Sequence, residues 1–317
     1  MPTFSLDDVR AVCKGRDAWW TVLLVDPVAT RLTRVVANRT SATPNQITTA
    51  AFALGLGSAA CFTQGTAGWL ALGAVLYHLC FVLDCVDGKV ARLKGTGSPF
   101  GAWLDFMLDR VRDCICAIAL AQGQYALTGK PIYLWIGFTI VAVDMVRYLN
   151  GPKIAKARRQ MTHDLTPAKP KRAPRPKTAS TPKTASTPKP RPTRYLRLRR
   201  NLQRRRIRMH LFSGIEFQMA VFIVGPLTGA VIPVTTAAGA LLLTFEALLV
   251  YKFWGVSRSF ARRVQGSESL AVQGAVQGAV QGAVQGAVQG AVQGVVPAPR
   301  NPAEAVTQRG PLVDADH

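Results

Sequence analysis

Six apolar runs of similar length punctuate the chain, at about 46–63, 67–88, 100–122, 131–149, 211–230 and 233–254. Each approaches the ~20 residues that a helix rising ~1.5 Å per residue needs to cross a ~30 Å hydrocarbon layer. The runs are rich in Gly, Ala, Ser and Thr, which allows close helix packing in lipid. The pattern predicts an all-α fold, a six-helix transmembrane bundle. A further periodic stretch precedes it. From Ala18 to Val36, Trp19, Trp20, Leu23, Leu24, Val28, Leu32, Val35 and Val36 recur at helical spacing against Arg31 and Arg34. This predicts an N-terminal amphipathic helix lying in the membrane interface.

Charge changes the picture in one respect. The 317 residues are 49% hydrophobic and carry a formal net charge of +22. A soluble chain this basic would point to nucleic acid. Here residues 151–212 hold 20 of the 39 lysines and arginines and a single acid, Asp164. Nucleic acid is not expected as a partner, because no stacking aromatics beyond Tyr195 are interleaved with these bases. Membrane lipid is the expected partner. The short connections near 63–67, 122–131 and 230–233 contain one basic residue, Lys130. The positive-inside rule then places both termini and the loops near 89–99 and 150–210 on the cytoplasmic side, which an even number of crossings requires. A multi-pass protein of the plasma membrane is expected.

The domain organisation follows. Residues 1–45 form an interfacial N-terminal segment, with no isolated apolar core and cleavage site of a signal peptide. Residues 46–150 hold transmembrane helices one to four. Residues 151–210 are a basic, Pro-rich cytoplasmic loop, 211–257 hold helices five and six, and 258–317 are expected as a disordered tail. That tail carries six copies of Ala-Val-Gln-Gly from Ala271 to Gly294. The six cysteines form no CxxC pair and there are only four histidines, so neither a disulfide framework nor a zinc site is expected.

The chemistry concentrates between Asp84 and Asp109. Asp84 and Asp87 lie three apart, and Asp105 and Asp109 four apart, so each pair shares a helix face. Gly95, Gly97 and Pro99 predict a tight turn between the two helices, which brings the four carboxylates together at the cytoplasmic surface. Acids at that depth are costly unless paired or bound to cations, and hard oxygen ligands suit Mg²⁺ or Mn²⁺. Two divalent ions would neutralise four acids and leave positions for phosphate oxygens. Gly88 and Gly101 leave room for a ligand, and Arg92 follows Asp87 by about one turn.

The spacing Asp84-x2-Asp87-Gly88-x2-Ala91-Arg92-x8-Gly101-x3-Asp105-x3-Asp109 resembles the signature of the CDP-alcohol phosphotransferase family at every specified position. The Thr43-Pro44-Asn45 entry to the first crossing and the six-crossing layout are also similar to that family. The resemblance implies transfer of a phosphatidyl-type group from a CDP-alcohol, CDP-diacylglycerol above all, to the hydroxyl of a small polar acceptor, with release of CMP. It implies Asp84, Asp87, Asp105 and Asp109 as metal ligands and Asp109 also as general base. It implies Asn45, Thr48, Gly88, Arg92 and Ser98 as contacts to the CDP-linked donor. A homodimer is implied as well. The basic loop and the repeats lie outside the resemblance.

Asp144 and Arg147 are three apart near the end of the fourth crossing. They read either as a pair that satisfies itself or as part of an acceptor pocket in which Arg147 meets a phosphorylated polyol. His78 reads as a hydrogen-bonded packing residue, and Glu246 has no evident partner. A membrane transporter and an anchored, non-catalytic lipid- or nucleic-acid-binding protein are the alternative functions.

Overall fold

Helix boundaries fall where the sequence supplies caps. In a computed structural model, residues 3–164, 201–208 and 212–294 are described. Helix α1, Leu6–Ala11, opens on a capping box between Ser5 and Asp8. Helix α2, Asp26–Arg39, continues from a π turn at Thr21–Val25. Helix α3, Pro44–Thr63, has Pro44 in its first turn and a capping box between Thr43 and Gln46. Helix α4, Ala67–Lys94, stops at Gly95, whose φ of 66° suits a residue without Cβ. Helix α5, Pro99–Thr128, starts at Ser98, whose hydroxyl oxygen accepts from Gly101 N–H. Helix α6 is Ile132–Asp164. Helix α7, Gly214–Thr228, contains a π turn at Ala220–Val224. Helix α8 is Val231–Gly294.

All regular structure among the described residues is helical, apart from one isolated bridge between Asp17 and Ile207. Four helical stretches are long and apolar enough to cross a membrane: Pro44–Thr63, Ala67–Lys94, Ile132–Thr162 and Val231–Gly266. The other two expected crossings correspond to α5 and α7. Helix α5 has the length, but Asp105, Asp109, Arg110, Arg112 and Asp113 interrupt its apolar character. Helix α7 has fewer than 18 residues, so its rise falls short of a ~30 Å core.

The chain divides into two units, Met1–Trp254 and Gly255–His317. In the first, α3 packs against both α4 and α5, α5 against α6, and α2 against α4. The core joins Phe62, Tyr77, Leu120, Phe217 and Phe222, with the Tyr77 and Phe222 rings 4.7 Å apart. Ser58 Oγ donates to Gly73 O at 2.7 Å across α3 and α4, the kind of small-residue contact expected of helices in lipid. Trp103, Ile118, Leu127, Trp135 and Phe138 are exposed. Helix α2 buries Thr30 and Thr33, and the π turn and α2 together expose Leu23, Leu24, Val28 and Val35 beside Arg31 and Arg34.

In the second unit the Ala-Val-Gln-Gly array is helical to Gly294, where the sequence predicts a disordered tail. Ala, Val and Gln all accept helical backbone, and the ~1 kcal/mol cost of each Gly weakens that geometry without forbidding it. The Pro-rich loop between 165 and 200, His210 and the tail beyond 294 lie outside the described residues. Of the arginine-rich stretch from Tyr195, only residues 201–208 are described, with a helical turn at 201–204.

Candidate active site

Helix α3 packs against both α4 and α5, and beyond the α4–α5 turn three of the four carboxylates come together. Asp84 of α4 and Asp105 and Asp109 of α5 each offer an oxygen, and these atoms lie within 4.8 Å of one another. Asp105 Oδ1 is buried without a hydrogen-bond partner. Three converging carboxylates, one with an orphaned acceptor, fit a hard divalent cation. The fourth acid stands apart from this group. Asp87 is buried and accepts a short hydrogen bond from Thr48 Oγ1 of α3.

Asp87 instead lines a cavity of about 410 Å³ together with Asn45, Thr48, Gly88, Arg92, Ser98, Gly101 and Asp105. Every residue expected to contact the donor is in that lining. Asp105 belongs to both the cavity and the carboxylate cluster, so a ligand in the cavity reaches the acids directly. The first turns of α3 and α5 both open here, through Pro44–Asn45 and Ser98–Gly101. Their positive dipole ends favour an anion. A Cβ at Gly101 would sit 2.8 Å from Asn45 Oδ1 and would displace that side chain from the lining.

The N-terminal segment covers one edge of this region. Arg92 Nε donates to Val12 O at 2.8 Å. Lys14 is near enough to Asp84 and Asp105 to interact electrostatically with both. The Arg206 guanidinium donates twice to Lys14 O, at 3.0 and 2.8 Å, and pairs with Asp26 at 3.2 Å. Asp26 also binds Lys89 of α4 at 3.0 Å.

A polar network missing from the sequence reading lies behind the acids. Arg112 bonds Asp109 at 2.7 Å and Asp113 at 3.0 Å. Arg110 bonds Asp113 at 2.9 Å and Asp144 at 2.6 Å, with its guanidinium 3.4 Å from the Tyr148 ring centroid. Gln218 of α7 donates to Asp113 and Asp144. The run Asp109-Arg110-x-Arg112-Asp113 inside an apolar helix was the available signal.

The weaker expectations are partly corrected. Asp144 and Arg147 do not pair with each other. Asp144 is taken by Arg110, and Arg147 binds Glu246 of α8 at 2.8 Å. Asn150 completes the Glu246 site at 2.6 Å. The reason is geometric, since α5 and α8 present ions of opposite sign to the two residues. Arg147 lines a different cavity, of about 670 Å³, with Phe106, Tyr148, Arg158 and Phe245. His78 packs edge-on to Trp20, but its Nδ1 finds no hydrogen-bond partner.

Residues 41–174 match the CDP-alcohol phosphatidyltransferase family. A bifunctional IPC transferase and DIPP synthase from Aquifex aeolicus is 40% identical over 117 residues, 36% of this chain and 26% of that protein. A phosphatidylinositol phosphate synthase from Corynebacterium glutamicum is 37% identical over 91 residues, 29% of this chain and 38% of that protein. An archaetidylinositol phosphate synthase from Methanothermobacter thermautotrophicus is 32% identical over 105 residues, 32% of this chain and 52% of that protein. The chain thus spans between about a quarter and a half of the length of these relatives. The matched stretch contains the whole signature, the donor-side cavity and four of the packed helices, so residues 41–174 of this integral membrane chain are similar to the CDP-alcohol phosphatidyltransferase family.

Proposed function

We propose that the protein transfers a phosphatidyl-type group from a CDP-alcohol, CDP-diacylglycerol in particular, to the hydroxyl of a small polar acceptor and releases CMP. The observation that carries this is the shared wall of two sites. Asp105 belongs both to the carboxylate cluster and to the 410 Å³ cavity lined by Asn45, Thr48, Gly88, Arg92 and Ser98. A donor in that cavity lays its pyrophosphate against the cluster while Arg92 and the first turns of α3 and α5 hold its charge.

Asp84, Asp105 and Asp109 hold Mg²⁺ or Mn²⁺ in this reading, and Asp87 serves a second ion from the cavity side. Bound there, divalent ions supply charge neutralisation on the phosphate oxygens. Thr48 fixes the Asp87 carboxylate, and Ser98 and Asn45 close over the nucleotide. The acceptor oxygen attacks the phosphorus that bears the lipid alcohol. A P–O bond forms, the bond to the CMP oxygen breaks, and the acceptor proton passes to Asp109.

The acceptor is a phosphorylated polyol in this proposal. Arg147 and Arg158 stand in the 670 Å³ cavity, and Glu246 uses only part of the Arg147 donor set. Two of the relatives are named as a phosphatidylinositol phosphate synthase and an archaetidylinositol phosphate synthase, which fits that choice. The layout is a six-crossing bundle that includes α5 and α7. The π turn and helix α2 lie in the interface on the face exposing Leu23, Leu24, Val28 and Val35. Both termini and the site are cytoplasmic, in the plasma membrane, and the protein is a homodimer.

The test is incubation of the purified full chain with CDP-diacylglycerol, Mg²⁺ and a panel of acceptors including inositol phosphate, glycerol phosphate, inositol and serine. CMP and a new lipid should appear with a phosphorylated polyol. Absence of CMP release with every acceptor would remove the proposal.

A further inference from the structure

Arg112 lies outside the family signature and lines neither cavity, yet every polar atom of its side chain is committed. It is 4% exposed and sits one turn beyond Asp109 on α5. Nη1 bonds Asp109 Oδ1 at 2.7 Å and approaches Cys80 Sγ of α4 at 3.4 Å. Nε and Nη2 form a fork on Asp113 Oδ1, at 3.1 and 3.0 Å. Its cation lies 5.4 Å from the Tyr77 ring centroid.

Asp113 is itself immobilised. Tyr77 Oη of α4 donates to it at 2.8 Å, Gln218 Nε2 of α7 at 2.7 Å, and Arg110 at 2.9 Å. A guanidinium is a rigid planar fork, so fixing Nε and Nη2 on Asp113 also fixes the direction of Nη1. That direction ends on Oδ1 of Asp109, a member of the cluster with Asp84 and Asp105. Helix α3 provides the space. A Cβ on Gly55 would lie 2.5 Å from Arg112 Cδ and 2.6 Å from Cγ. Three helices besides α5 therefore determine where the Arg112 tip points.

We propose that Arg112 is a positioning residue for the transfer reaction, holding the Asp109 carboxylate in the orientation that completes the cation site. The inference rests on the metal-dependent reading of that cluster given above. Two roles for a buried Arg beside three acids predict opposite signs. A simple counter-ion competes with divalent metal by like-charge repulsion, so its removal tightens metal binding. A positioning group preorganises a ligand, so its loss weakens metal binding, by about 10–100-fold for partners that orient a ligand. Lys separates the roles further, because it keeps the charge and loses the fork.

The experiment compares the full chain in detergent with R112Q, R112K and G55A. Mn²⁺ binding is measured directly, and CMP release from CDP-diacylglycerol is followed against Mn²⁺ concentration. Positioning predicts that R112Q and R112K both raise the half-saturating Mn²⁺ by at least tenfold, and that saturating metal recovers part of the turnover. G55A should move the same way although it alters no charge. Mn²⁺ bound as tightly as in the unaltered chain, or more tightly, by R112Q or R112K overturns the inference. If R112Q does not fold, R112K and G55A decide between the same outcomes. An unaltered chain that releases CMP only with divalent ion, beside variants of normal metal affinity, removes this role alone. An unaltered chain that neither binds Mn²⁺ nor releases CMP removes the proposed function and this role with it.

Discussion

Arg147 of α6 donates to Glu246 of α8 at 2.8 Å, joining two helices 99 residues apart in sequence. Glu246 is 4% exposed and would be costly in an apolar bundle without such a partner. The pair ties α6 to α8 at the edge of the cavity that also contains Arg158.

The two halves of this pair should separate by kinetics. R147Q is expected to raise the KM for a phosphorylated acceptor by about tenfold, roughly the loss of one charge-assisted contact. The KM for the CDP-donor should stay near its original value. E246Q keeps the guanidinium and should lower thermal stability with little change in acceptor KM. Equal stability losses without any acceptor effect would leave Arg147 as a structural partner of Glu246 alone.

Gly101 offers a test of the donor cavity that touches no charge. Its added Cβ would lie 2.8 Å from Asn45 Oδ1 and 3.1 Å from Ser98 Oγ. G101A should push Asn45 out of the lining and raise the donor KM by roughly tenfold or more, a loss of ~1.4 kcal/mol. Thermal stability should change little, because Ala favours a helix over Gly by ~1 kcal/mol. A normal donor KM in G101A would move the nucleotide away from the α3–α5 mouth.

The parts of the site legible in the sequence were those set by local periodicity. Asp84 and Asp87 share a helix face at a spacing of three, Asp105 and Asp109 at a spacing of four, and the Gly95–Pro99 turn reverses the chain between them. Asp87 fits the same periodicity, yet Thr48 of α3 draws it to the cavity side. That contact depends on packing between helices, which spacing does not encode. The reading of Asp144 and Arg147 as a pair that satisfies itself failed for the same reason, since Arg110 and Glu246 are nearer partners only in three dimensions. Helix α7 was legible as an apolar run but not in its π turn, which no residue pattern announces.

Metal removal should distinguish the two kinds of acid. CMP release should vanish in chelator and return with Mg²⁺ or Mn²⁺. D105N removes a member of the close cluster and should abolish direct Mn²⁺ binding along with turnover. D87N keeps the three clustered carboxylates, so part of the Mn²⁺ binding should survive while donor affinity falls. D109N should lower turnover more than donor affinity, as expected of a base that acts in the transition state. Loss of all Mn²⁺ binding in D87N would place Asp87 in the same ion's shell as the other three.

Arg206 concerns the cover over the acids. Its φ of 62° is in the left-handed region, an unusual choice for a residue with a side chain. The side chain explains the choice. Two hydrogen bonds reach Lys14 O and an ion pair reaches Asp26, which also holds Lys89 of α4. The segment so held contributes Val12 O to Arg92 and places Lys14 near Asp84 and Asp105. R206G should relieve the backbone strain yet free that segment, while R206A should keep the strain and free it as well. Both should therefore expose residues 12–17 to limited proteolysis and raise the donor KM by about tenfold through loss of the Arg92 anchor. R206G should be the more stable of the two by ~1 kcal/mol, the cost of left-handed backbone at a non-glycine residue. Unchanged protease resistance in both variants would mean that the bridge between Asp17 and Ile207 holds the cover without the Arg206 side chain.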